Sequence, residues 1–167
     1  MKKLSLSSVF VVSLIVAGVL IAGYSIALAA TVFTDDFGTG ATDSTVSGWT
    51  EGSDGAERRA AGSGNDSASP NGGRFAVIYG DSGYICRTVA TTGFTNVQLS
   101  YQWRGDSDSS SSGDNAIVEF KTSGSCSDSS GWTQLADHDM QNDSAWSTQA
   151  PISNVGLNNA SVLLRFR

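Results

Sequence analysis

Val97, Leu99, Tyr101 and Trp103 alternate with Gln98, Ser100, Gln102 and Arg104, and the same period of two returns in Ala116, Val118 and Phe120. Successive side chains of a strand point to opposite faces, so each run carries one apolar and one polar face. An apolar sheet face must be covered, and a second sheet is the usual cover in a chain without helical periodicity. Ile117, Glu119 and Lys121 fall on the other side of the second run, with Glu119 on its outer face. The two runs read as a central hairpin around the polar stretch 105–114.

The remaining apolar segments are short and bounded by turn residues. Strands are expected over 31–37, over the compact run 74–79, over 83–90, over 132–135 and over 160–166, with a brief one near 58–60 inside a long polar loop, 51–73. Gly80-Asp81-Ser82-Gly83 reads as a hairpin turn. The stretch 137–144 is polar, and the segment from Trp146 to Pro151 has no clear pattern. Roughly eight short strands separated by turns predict an all-β, two-sheet antiparallel sandwich. The final alternation stops at Arg167 without a turn, which predicts a domain truncated at its C-terminus.

Met1-Lys2-Lys3 opens the chain, and Leu4 to Ala30 then carries no charge. Ala27-Leu28-Ala29 places small residues where a signal peptidase cuts, so 1–29 reads as a secretory signal peptide preceding a 30–167 domain. The same run is long enough for an uncleaved membrane anchor helix. Both readings put the domain outside the cytoplasm, as an extracellular or cell-surface protein.

Beyond Ala29, eight basic residues face sixteen acidic ones, a net charge of −8. A phosphate backbone would be repelled, which argues against nucleic-acid partners. Cys86 and Cys126 are the only cysteines, and an even count in an exported chain predicts a disulfide between them.

The succession Phe33-Thr34-Asp35-Asp36-Phe37, Gly48-Trp49, the strand from Asn96 to Trp103, Asp114 to Phe120, Trp132 and Leu163 to Phe166 resembles MAM-like and concanavalin-like jelly-roll domains of bacterial secreted and surface proteins. The resemblance covers most of 32–167. It implies a jelly-roll sandwich and binding or adhesion more often than catalysis. It also implies a metal ligand near Asp35 and Asp36, and a last strand that this chain lacks.

Candidate sites follow from side-chain chemistry. Asp35 and Asp36 are the expected calcium ligands, since a hard cation takes carboxylate and carbonyl oxygens. Asp106, Asp108 and Asp114 crowd one loop without EF-hand spacing. Trp49, Trp132 and Trp146 are the ligand-binding candidates, because an exposed aromatic face stacks on a sugar ring, whereas Trp103 belongs to the core face. Ser82 lies in a Gly-Asp-Ser-Gly tetrapeptide, but the sole histidine, His138, follows it and reads as a solvated loop residue. Glu119 is the one carboxylate to test for glycoside chemistry.

Three functions are compatible with these features. The leading one is a non-catalytic binding or adhesion module whose partner is a surface glycan or surface protein. A structural spacer or surface-layer domain is the second, and a polysaccharide hydrolase or lyase fragment the third.

Overall fold

The structure is a computed structural model that describes residues 31–35, 37, 45–60, 74–105, 115–140 and 145–167. The expected signal or anchor segment 1–29, Asp36 and the acidic stretch 106–114 lie outside the described residues. The fold is all-β, and every strand pairing is antiparallel.

Among the described residues nine strands follow in order: β1 Thr50–Glu51, β2 Ala56–Ala60, β3 Arg74–Ile78, β4 Ile85–Ala90, β5 Gln98–Trp103, β6 Asn115–Lys121, β7 Thr133–Asp139, β8 Ser147–Ser153 and β9 Ser161–Phe166. A 3-10 turn, Val155–Asn158, precedes the last, with the Asn154 side chain accepting from the Gly156 N–H at its start. One sheet has five strands in the order β1-β4-β9-β6-β7, and β2-β3 and β5-β8 form two separate ladders.

The expected central hairpin is therefore not a hairpin. β5 pairs with β8, while β6 sits between β9 and β7. Both runs do have an apolar face, but those faces meet across the core instead of lying side by side. Tyr101 of β5 approaches Phe166 of β9 edge-on at 5.3 Å between ring centres. β8 emerges from the segment without a clear pattern because its ladder with β5 supplies the order that its own residues do not. Its irregularity falls between the pairs Leu99–Ile152 and Tyr101–Gln149, where Pro151 has no N–H to give.

Three further expectations change. Residues 31–35 and 37 form no strand; Phe33 and Phe37 pack on Trp49 through their rings. β7 runs on to Asp139, which places His138 in a strand rather than a loop. Within the expected loop 51–73, β2 spans five residues, because β3 offers it a partner in register from Ala56–Ile78 to Ala60–Arg74. The 80–83 turn is present, closed by the Gly83 N–H on the Gly80 carbonyl, but it leads from one ladder to another sheet. Gly83 is required there, since a Cβ would stand 1.9 Å from the Tyr79 carbonyl oxygen.

The core lies on one face of the five-stranded sheet. Val46, Ala56 and Ile85 form one buried cluster, with Trp49, Ala76, Ile78 and Phe166 packed on it. Phe120, Leu157 and Val162 form another, joined by Val89, Val97 and Leu135. The first is roofed by the β2-β3 ladder, and the second by the 3-10 turn and Val97.

Candidate functional site

The opposite face of the same sheet is ionic. Cross-strand register places Cys86 opposite Arg165 and Arg165 opposite Glu119, so the three form one row over β4, β9 and β6. Lys121, two residues along, shares that face. Charged side chains in such positions are ordinarily solvated, yet Glu119 is 5% exposed, Lys121 5% and Arg165 7%.

They are covered by the connection from β6 to β7, residues 122–132. The disulfide Cys86–Cys126 ties this loop to the sheet across 40 residues of sequence, as expected from the cysteine count. Lys121 Nζ meets Asp128 Oδ2 at 2.5 Å, and the Ser125 N–H donates to the same oxygen at 2.8 Å. Those two donors hold the Asp128 carboxyl below its usual range, the lysine contributing most. Gly124 has a positive φ of 96°, and a Cβ on it would stand 2.4 Å from Asp128 Oδ2. The loop's chemistry is thus fixed by a glycine, an aspartate and a cysteine.

Arg165 organises the cluster. Its Nε and Nη2 both meet Glu119 Oε1 at 2.6 Å. Its Nη1 donates to the loop carbonyls of Asp128 at 3.2 Å and Cys126 at 3.4 Å. Its guanidinium carbon lies 3.8 Å from the centre of the Trp132 ring and 5.4 Å from that of Tyr84. Lys121 Nζ is 4.4 Å from the Trp132 ring centre. Such contacts favour an indole held at a fixed angle, and the Trp132 N–H is further anchored on the Asp128 carbonyl at 2.8 Å. Arg167 Nε adds a third donor to Glu119 Oε1 at 3.0 Å, and its side chain remains 43% exposed.

Between the loop and the turn before β4 lies an open groove of about 460 Å³. Trp132, Tyr84, Arg165, Arg167 and Glu119 line it, together with Asp81–Gly83 on one side and Ser129–Gly131 on the other. Ser82 is fixed there by its N–H on Asp54 Oδ2 at 2.8 Å.

Of the three tryptophans expected to bind ligand, Trp132 alone lines this groove. Trp49 is packed among Phe33, Phe37 and Phe166, at 6.0–6.2 Å between ring centres, and donates its N–H to Asp35 Oδ2 at 2.8 Å. Trp146 lies edge-on to Phe75 at 5.6 Å, under Arg104. Asp35, expected as a calcium ligand, accepts from the Phe37 N–H on Oδ1 and from Trp49 and Arg87 on Oδ2. It fastens the N-terminal segment to the domain. Among the described residues no three histidine, cysteine, aspartate or glutamate side chains stand together as a metal site.

His138 is on the core side, opposite Ala116, far in register from the row that carries Glu119. Its Nε2 is 2.6 Å from the Tyr101 hydroxyl, and its ring stacks on Trp103 at 4.1 Å. Burial lowers its pKa against the opposing pull of Asp137. Burial also pushes the Tyr101 hydroxyl up to about 12, and which of the two groups donates is set by the imidazole tautomer. Trp103, half-buried, belongs to this contact rather than to the two buried clusters.

Tyr84, Lys121, Asp128, Arg165 and Arg167 were not among the expected site residues. Lys121 and Arg165 carry a signal in the sequence, charge on the polar side of two alternating strands; Tyr84 and Asp128, outside the strands, carry none.

No family model, curated protein or solved structure matches the chain. The groove is therefore read from its own chemistry.

Proposed function

We propose that the protein is an exported, non-catalytic binding module and that the groove beside Trp132 receives a glycan. The observation that carries this reading is a half-buried indole at the wall of an open groove, braced by two cations. Lys121 Nζ at 4.4 Å and the Arg165 guanidinium carbon at 3.8 Å from the ring centre hold the indole in place at the groove wall, where it is half-buried. A sugar ring presents an apolar C–H face to such a plate and hydroxyls at its edge. Tyr84, Ser82, Ser129 and Ser130 offer matching hydroxyl groups, and Asp81 with Glu119 balances Arg165 with Arg167. A groove of balanced charge favours a polar, weakly charged ligand over a polyanion. The hydrophobic N-terminal run and the disulfide support export.

Catalysis is not part of this proposal. Glu119 Oε1 already accepts from two guanidinium groups, so the carboxylate that suits glycoside chemistry is committed to holding Arg165 and Arg167. Calcium is not part of it either, because the Asp35 oxygens serve Phe37, Trp49 and Arg87.

Calorimetric titration of the oxidised full chain, in mild detergent, with a panel of neutral and acidic oligosaccharides tests the reading. At least one neutral oligosaccharide is expected to bind, and Trp132→Ala is expected to weaken it about tenfold or more, the scale of one lost stacking contact. Absence of binding across the panel would overturn it. A second reading, a structural module, is favoured by the internal pairing of Glu119, Arg165, Lys121 and Asp128; it predicts no binding together with a lower melting temperature for Trp132→Ala.

A further inference from the structure

We propose that the Cys86–Cys126 bridge is a redox latch: it holds residues 122–132 against the sheet to complete the groove, and its reduction releases that loop while the sandwich stays folded. The ligand part of this inference rests on the glycan reading; the structural part does not.

Four observations support a local rather than a global role. The loop is almost wholly exposed, and between Thr122 and Gly131 only Cys126 is even half-buried. Its other tethers are non-covalent: Asp128, 45% exposed, pairs with the buried Lys121, and the buried Arg165 holds the Cys126 and Asp128 carbonyls and the Trp132 ring at the end of the loop. Single ion pairs and hydrogen bonds of this kind hold a segment far more weakly than a covalent bond. The surface beneath the loop is ionic, made of Glu119, Lys121 and Arg165, so water can replace the loop there without meeting apolar core. Finally, neither cysteine belongs to the two hydrophobic clusters that join the sheet to its covering ladders. Besides the chain's own continuity into β6 and β7, the bridge is the covalent link that draws the loop over to β4.

The two sulfurs differ in access. Cys86 is fully buried, whereas Cys126 is half-buried. A thiolate from a small dithiol reductant therefore attacks Cys126 Sγ. The S–S bond breaks toward Cys86 Sγ, which takes up a proton, and a mixed disulfide forms on Cys126. The second thiolate of the reductant attacks its own sulfur in that mixed disulfide. Cys126 leaves and is protonated, and the reductant departs as a cyclic disulfide. Two electrons and two protons have moved to the protein. The groove wall loses its anchor, and Arg165 loses the Cys126 and Asp128 carbonyls while it keeps Glu119.

The test is hydrogen exchange on the full chain in mild detergent, oxidised and after dithiothreitol, with Cys86→Ser/Cys126→Ser as a second form of the open latch. The Ser125 and Asp128 amides, bonded within the loop, are expected to exchange about tenfold faster or more once the bridge is open. The amides of β4, β6 and β9 are expected to stay protected. Unchanged loop exchange would overturn the latch, and so would loss of protection throughout the sheet, which would make the bridge a staple of the whole fold. An oligosaccharide bound by the oxidised chain is expected to bind about tenfold more weakly to both open forms. Equal affinity would overturn the gating. If no oligosaccharide binds the oxidised chain, the glycan reading fails and the exchange result alone decides the latch.

Discussion

The two faces of the five-stranded sheet are both buried, but by different means. The inner face buries Ile85, Val118, Phe120, Val162 and Leu164 beneath other strands and a 3-10 turn. The outer face buries Glu119, Lys121 and Arg165 beneath a single serine- and glycine-rich loop tied down by a disulfide. Apolar burial is favourable in proportion to area and needs no particular partner. Ionic burial costs desolvation and is tolerated only where the charges meet each other. The inner face is therefore where stability resides, and the outer face is where geometry is specified.

The largest expected effect is on the inner face. Phe120→Ala removes a ring 4% exposed and is expected to cost about 3–5 kcal/mol in denaturant unfolding. A cost below about 1 kcal/mol would break the comparison. On the outer face, Glu119→Ala leaves Arg165 buried and unpaired, with an expected cost of about 3 kcal/mol. The double replacement Glu119→Leu/Arg165→Leu is expected to cost less than that single one. If it costs more, the ionic row is itself a major source of stability.

Trp132→Ala is expected to cost about 2 kcal/mol, the scale of cation–π contacts with desolvated cations, while weakening ligand binding about tenfold or more. The smallest effect is a pH dependence. His138 has its pKa below the ordinary 6.5 because it is partly buried, so the unfolded chain takes up the proton first as pH falls. Stability contributed by neutral His138 is then lost below pH 6.5 and levels off once the folded form is also protonated. His138→Phe is expected to flatten that part of the pH profile. The loss at lower pH, where Glu57 and Asp128 with their lowered pKa values take up protons, is expected to remain.

Much of this division was legible in the chain. Alternation in 97–103 and 116–120 gave the strands and their apolar faces, because period two depends on the strand alone. Strand partners were not legible: β6 lies beside β9, 46 residues away at the Glu119–Arg165 pair, and no local signal encodes that choice. β8 was missed because Pro151 and its polar neighbours resemble a loop until β5 supplies hydrogen bonds. Two cysteines sufficed to predict the bridge. Trp132 was one of three aromatic candidates, and only the packing of Trp49 on three phenylalanines and of Trp146 on Phe75 separates them. Arg165 and Arg167 fall at the end of the last expected strand, and their convergence on Glu119 depends on register.

The most direct measurement follows the four indole N–H resonances of the oxidised, 15N-labelled chain as a neutral oligosaccharide is added. Binding in the outer groove predicts that the Trp132 indole moves with saturation while those of Trp49 and Trp146 hold still. Movement of Trp146 or Trp49 with Trp132 unchanged, or no movement of any indole, would contradict a glycan site on the ionic face.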